Sequence, residues 1–286
     1  MELYIFYNGY FYPQSAPLLS VLDRGLCFGD GLFELIRCIG GKFLLFDRHI
    51  QRMRKSAAFL EMPFPYRKDE LLDYARKLVK VNGIKDGELY LEITRGEAPR
   101  YHEFPRDTKP NFFMVLNALR QMPENCREKG VKVITFPDIR WGYCHLKTIN
   151  LLPNILAKEM AKKKGAYEAL FIRGDEKGTY LTEGSSSSIF AIEGDVLITP
   201  EEDNILPGVT RAIVIEIAKQ VNMKITERRL YMNEYKACDE AFLTSTVSEV
   251  LPVIRIDNKK IAKGIPGPKT EKLQSVYRSL MQSYLQ

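Results

Sequence analysis

Several groups of residues in this chain have the types and spacing to do chemistry. Lys147 lies on a short crossover, between an alternating apolar run at 131–136 and a helical pattern from Asn150 to Lys164. Held between Leu146 and Ile149, a lysine there would be partly desolvated, which lowers its pKa and makes its amine a usable nucleophile. The plain alternative is a solvated loop lysine, one of 42 basic residues. Glu183 heads a knot of small residues, Gly184-Ser185-Ser186-Ser187-Ser188, set between two apolar strands. That knot reads either as a solvated serine turn or as a packed site whose small side chains leave room for a ligand. Arg100 and His102 stand two apart and share one side of an extended backbone, as a carboxylate receptor would, or they belong to a solvated loop.

A phosphate-like anion has three candidate partners. Arg52 carries a fork of donors on a helical turn. Gly208-Val209-Thr210 leads into a helix from about 212 to 221, where free N–H groups and the positive dipole end point outward. Ser245 and Thr246 end an apolar strand in a hydroxyl-rich cluster. An exposed arginine and an ordinary capped helix are the competing readings of the first two.

The elements that must position these residues follow from turn and period signals. Residues 3–12 form a hairpin turning at Asn8-Gly9. Gly25, Gly29 and Gly31 demand a tight backbone and close approach by another part of the molecule. Phe33 to Ile39 is a strand ended by Gly40-Gly41, with 42–46 pairing back, and Asp47 caps a helix that carries His49 and Arg52. A second amphipathic helix spans 69–82, closed by Asn82-Gly83. Strands at 88–94 and 111–117 complete a small N-terminal α+β domain, 1–118. Residues 119–125 lose periodicity and contain Pro123, so they are the linker. A large C-terminal domain, 126–286, carries Lys147. In it Thr148 or Asn150 caps a helix on which Leu151, Leu152, Ile155, Leu156 and Met160 recur at helical spacing.

Composition bounds the function. The 286 residues are 45% hydrophobic and 27% charged, as in an ordinary soluble globular protein with room for a sizeable core. The net charge of +6 is dispersed among acidic residues, with no basic aromatic stripe for nucleic acid, and it suits small anionic substrates. Five widely spaced cysteines and three histidines show no metal-ligand spacing, and the thiols read as reduced, which suggests a cytoplasmic protein. No apolar run approaches a membrane span, and residues 1–6 read as a strand.

Seven segments recur together in order: DRG-x-x-FGDG-x-FE at 23–34, H-x-x-R at 49–52, TRG-x-x-PR-x-H-x-FP at 94–105, KT-x-NLL at 147–152, TEGSSS-x-x-F at 182–190, G-x-TR at 208–211 and TST-x-SE-x-x-PV at 244–253. Together they resemble the fold-type IV pyridoxal-phosphate enzymes, most closely the D-amino-acid aminotransferases, over nearly the whole chain. The resemblance implies a two-domain α+β fold with pyridoxal 5'-phosphate in the interdomain cleft, and a homodimer. It implies that Lys147 carries the cofactor as a Schiff base and that Glu183 pairs with the protonated pyridine nitrogen. Arg52, Val209-Thr210 and Ser245-Thr246 then match the phosphate cradle. Arg100 and His102, reaching across from the partner subunit, match the trap for the substrate carboxylate, with Phe33 and Ser187 as further substrate-binding positions. Phe33 departs from the tyrosine of the D-amino-acid enzymes and removes a hydroxyl that helps fix that carboxylate. The segment 30–34 is in this respect more like the branched-chain aminotransferases, which lack the Arg100/His102 loop as it stands here.

The resemblance thus implies a ping-pong transaminase acting on an amino acid, D in preference, and a 2-oxo acid, with Lys147 as base and then acid. Two branches of the superfamily compete with it: an L-specific branched-chain aminotransferase, and an aminodeoxychorismate lyase releasing pyruvate. A protein that binds the cofactor or a small anion without turnover is the reading from a different class.

Overall fold

Asn8 and Gly9 take positive φ values of 47° and 96°, and the turn they make pairs Tyr4–Tyr7 with Tyr10–Pro13. In the computed structural model, which describes residues 2–119, 122 and 125–285, this hairpin edges a six-stranded antiparallel sheet. The strand order is Tyr10–Pro13, Tyr4–Tyr7, Asn111–Ala118, Gly87–Thr94, Gly31–Ile39 and Lys42–Phe43. Alternation sends Phe6, Leu32, Ile36, Leu89, Leu91 and Met114 to one face, packed against the helices Phe46–Phe59 and Lys68–Asn82. The same alternation leaves Phe33, Leu35, Tyr90, Glu92 and Phe113 half-buried on the other face.

Local details differ from expectation at one helix start. The return strand is only Lys42–Phe43, because Leu45 turns into the left-handed region (φ 55°) and starts the helix without a side-chain cap. Asp47 lies inside the first turn, where the positive dipole end favours it, and is not the cap.

The chain divides into two units: Met1–Gln121 with Leu146–Asn150 and Leu285, and Met122–His145 with Leu151–Tyr284 and Gln286. Residues 120, 121, 123 and 124 of the expected linker lie outside the described residues. Lys147 falls in the first unit, whereas the sequence reading placed it in a C-terminal domain. The reason is a strand-like pairing: Thr148 bridges Leu32, Phe33 N donates to Lys147 O at 2.9 Å, and Ile149 N donates to Gly31 O at 3.1 Å. The glycines make this approach possible. A Cβ on Gly31 would stand 2.8 Å from Ile149 Cδ1, and one on Gly29 would stand 2.2 Å from the Asn150 side-chain oxygen.

The second unit is built on a ten-stranded mixed sheet. Its path runs Lys224–Glu227, Val196–Thr199, Ser188–Glu193, Glu240–Ser245, Glu249–Ile256, Val131–Pro137, Glu168–Asp175, Gly178–Gly184 and Leu230–Tyr231, with Lys259–Lys260 pairing beside Glu249–Ile256. Val131–Pro137 is parallel to both its neighbours.

Two helices of this unit correct the sequence reading. Helix Leu152–Lys163 has no side-chain cap: Thr148 bridges Leu32, and Asn150 Nδ2 donates to Gly29 O. It packs through Ala157 and Ala161 against Ala169 and Phe171, because alanine permits close contact with the sheet. Its periodic apolar residues Leu152, Ile155, Leu156 and Met160 are exposed, Leu152 by 66%. The helix expected at 212–221 is Val209–Gln220, which puts Val209 and Thr210 in its first turn. Among the described residues, no helix is long and apolar enough to cross a membrane.

Candidate functional site

Lys147 is half-buried, and its Nζ stands 4.0 Å from the centre of the Phe33 ring. The next residue on that strand, Glu34, points to the opposite face and is fully buried. Its carboxylate receives Arg52 through Nε (2.7 Å) and Nη2 (2.8 Å), while His49 Nδ1 lies 2.7 Å from Oε2. Burial alone would raise the Glu34 carboxyl, but Arg52 and His49 overcome it and lower it from 4.5 to about 2. Burial, against the pull of Glu34, lowers His49 below its ordinary value, and the charge of Lys147 contributes to that lowering. His49 and Arg52 are therefore held by Glu34, a residue the sequence reading did not single out as functional. Its place in the alternation was a usable signal, since an acid between core positions Leu32 and Ile36 must be paired.

A pH dependence follows from the sign of this shift. A depressed folded-state value gives stability that is complete above the unfolded value and lost as pH falls from 4.5 toward about 2. A shift of that size corresponds to about 3 kcal/mol. The expected result is that urea midpoints of the wild type fall more steeply over this window than those of Glu34→Gln. Parallel curves would show that Glu34 is not the group responsible.

Arg100 and His102 are exposed, and a different ring gathers them. Arg100 Cζ lies 4.9 Å from the centre of Phe28, and the His102 ring meets the same phenyl edge-on at 5.6 Å. Arg24 fixes their loop, donating to Tyr101 O at 2.6 Å and to His102 O at 3.3 Å, while Asp30 holds both Arg24 and Arg95. The segment 23–34 thus shapes the loop as well as the approach of Lys147.

In the second unit, Glu183 is buried and accepts from Arg140 Nη1 and, through both oxygens at 3.2 Å, from Leu206 N. Burial raises the Glu183 carboxyl above its ordinary range, with Arg140 and the Leu206 amide opposing it. Arg140 also donates to Asp138 at 2.9 and 3.0 Å and lies over the Phe171 ring. Arg173 and Thr182 complete the shell of Asp138. The sequence reading missed Arg140, which meets Glu183 only through tertiary contact.

The serine knot serves a buried carboxylate. Ser185, Ser186 and Ser187 all donate to Glu168, Ser186 at 2.8 Å and Ser187 at 3.3 Å. Small side chains let the turn wrap Glu168. Ser187 is buried in that turn.

The anion candidates of this unit cluster at one end of its sheet. Helix Val209–Gln220 starts at Gly208 without a side-chain cap, and a Cβ on Gly208 would stand 2.7 Å from Ser188 Oγ. Ser188 pairs with Thr244, whose buried hydroxyl has no hydrogen-bond partner among the described residues. Ser245 Oγ follows, 2.7 Å from Ser248 Oγ, and Thr246 is half-buried in the turn beyond. An orphaned buried hydroxyl beside an uncapped helix start calls for an anionic acceptor. Arg211 does not take part, because Glu202, Glu227 and Pro200 O engage it.

A sequence model of the amino-transferase class IV family matches residues 31–256. The chain belongs to this family. It is 37% identical over 280 residues to a D-alanine aminotransferase of Staphylococcus haemolyticus, covering 98% of each chain. It is 38% identical over 281 residues to that of Staphylococcus aureus strain N315, again covering 98% of each. Among solved structures, the T.th. branched-chain amino acid aminotransferase with pyridoxamine 5'-phosphate superposes with a TM-score of 0.88 at 29% identity, over 99% of this chain and 95% of that one.

As a class IV aminotransferase the protein uses pyridoxal 5'-phosphate and acts on amino acids and 2-oxo acids. The donor set present fits that cofactor. A half-buried primary amine suits an aldehyde, a buried carboxylate suits a protonated ring nitrogen, and the uncapped helix start with its orphaned hydroxyl suits a phosphate.

Proposed function

We propose that this aminotransferase moves an amino group between a D-amino acid, D-alanine foremost, and a 2-oxo acid by a ping-pong mechanism. The observation that carries this reading is the match to D-alanine aminotransferases over 98% of the chain. The Arg100/His102 loop, assembled on Phe28, supports it by offering two cationic or donor groups to a carboxylate. Bound pyridoxal phosphate supplies an electron sink that makes the substrate α-proton removable. Lys147 holds the cofactor and its Nζ moves that proton, first as base and then as acid. Glu183, with Arg140 against it, offers a carboxylate to the ring nitrogen. Val209 and Thr210 N–H groups, Ser245, Thr246 and Arg52 bind the phosphate. Arg100 and His102 bind the substrate carboxylate, and Phe33 presents a flat apolar wall where a hydroxyl would otherwise stand.

The enzyme is a homodimer in this reading, in which Arg100 and His102 serve the partner's site. The exposed apolar face of helix Leu152–Lys163 supports a second copy as its cover. Five free thiols support a cytoplasmic location.

The deciding experiment follows the visible absorption of the cofactor-loaded enzyme as D-alanine or L-leucine is added, and then adds 2-oxobutanoate or 2-oxoglutarate. The expected result is loss of the band with D-alanine, formation of pyruvate and recovery with either oxo acid, in a particle of twice the chain mass by sedimentation. A response to L-leucine alone would favour the branched-chain reading, which Phe33 and the solved relatives support. Indifference to both amino acids would overturn transamination by this route.

A further inference from the structure

Glu92 occupies an unusual place on the open face of the six-stranded sheet. It lies directly across from Phe33 on one side and from Phe113 on the other, within a row of rings. Side chains so paired stand about 5 Å apart at Cβ. Phe33, whose ring carries the Lys147 ammonium at 4.0 Å, also stacks on Tyr90 at 5.7 Å with planes 28° apart. Tyr90 in turn donates its hydroxyl to Glu92. Among the described residues this hydroxyl is the one donor to Glu92, and no cation pairs with it. Burial and then Asp23 raise the Glu92 carboxyl, against the Tyr90 hydrogen bond. An acid left without a counter-ion among aromatic rings costs stability, and such costs persist where a site uses them.

We propose that Glu92 is a specificity-determining residue of this aminotransferase: its carboxyl, one cross-strand neighbour from the ring under Lys147, disfavours substrates with a second carboxylate. Neutral and hydrogen-bond-donating side chains are favoured by the same group. The inference rests on the transaminase reading above and deepens it. Arg100, with His102 beside it, supplies positive charge for one carboxylate, while the Glu92 carboxylate places negative potential near any other.

The test compares 2-oxoglutarate with 2-oxobutanoate as acceptors from D-alanine, in the wild type and in Glu92→Gln, which keeps the shape and an acceptor for Tyr90. The expected result is a rise on the order of tenfold in kcat/KM for 2-oxoglutarate relative to 2-oxobutanoate in the variant, as for removal of one nearby like charge. A second readout needs neither turnover nor the variant: calorimetric binding of glutarate and butanoate to the loaded wild type. Butanoate is expected to bind more tightly. A wild type active on D-alanine whose acceptor ratio is unchanged by Glu92→Gln overturns this inference alone, as does glutarate binding as tightly as butanoate. A wild type with no turnover on any amino acid overturns the transaminase reading and this inference with it.

Discussion

Lys147→Ala is expected to reduce steady-state transamination by a factor on the order of 10⁴ or more while leaving the fold in place. General acid–base catalysis by one positioned side chain is worth about 10² to 10⁴ in rate, and in the proposed mechanism this amine also holds the cofactor. Alanine can do neither. The local structure does not depend on the side chain, because Phe33 N bonds the Lys147 carbonyl and Thr148 bridges Leu32. Lys147→Arg separates charge from chemistry. It keeps a cation over the Phe33 ring, yet a guanidinium stays protonated and is no nucleophile, so it should be nearly as inactive. The measurement is pyruvate formation from D-alanine in a coupled assay, with circular dichroism as the control on folding. Activity within tenfold of wild type in either variant would remove Lys147 from the centre of the reaction.

What could be read from the sequence was local, and what escaped it was tertiary. Asn8-Gly9 and the spacing of Gly25, Gly29 and Gly31 announced a hairpin turn and a close approach because each states a backbone requirement of its own. The seven recurring segments led to the family for the same reason, each being a short run with fixed spacing. The grouping of Lys147 with the first unit was not legible because its partners, Gly31 to Phe33, lie more than a hundred residues earlier and only the folded pairing joins them. Helix Leu152–Lys163 shows a different limit. Its large apolar residues followed helical spacing, but Ala157 and Ala161 made the buried contact, since periodicity reports amphipathicity without saying what covers the apolar side. The serine knot left a solvated turn and a ligand site both open because Glu168, which its hydroxyls enclose, precedes it by seventeen residues or more. Glu34 was within reach of a closer reading, because strand alternation alone puts it among core residues.

Arg140→Met should act on both stability and catalysis, and the two effects can be separated. The guanidinium bridges two buried acids, Glu183 and Asp138, and removing one partner of such a pair costs about 3–5 kcal/mol. Asp138 keeps Arg173 and Thr182, whereas among the described residues Glu183 keeps only the Leu206 amide from its present set. Burial already raises the Glu183 carboxyl, and without Arg140 it should rise further, so more of it is neutral near pH 7. In the role proposed for Glu183, a neutral acid would not stabilise a positive charge on the cofactor ring as a carboxylate would. The expected result is a fall in kcat of about 10² to 10³, the size seen when one electrostatic contact in a site is lost, with a smaller change in KM. The sign of the pH effect distinguishes this from mere loosening: kcat of the variant should recover as pH rises and Glu183 ionises, within the range where the protein stays folded. Arg140→Lys should restore part of kcat, since its ammonium returns the charge without the fork that also holds Asp138. A variant that loses stability while its kcat and pH profile match the wild type would make Arg140 a structural residue with no part in positioning Glu183.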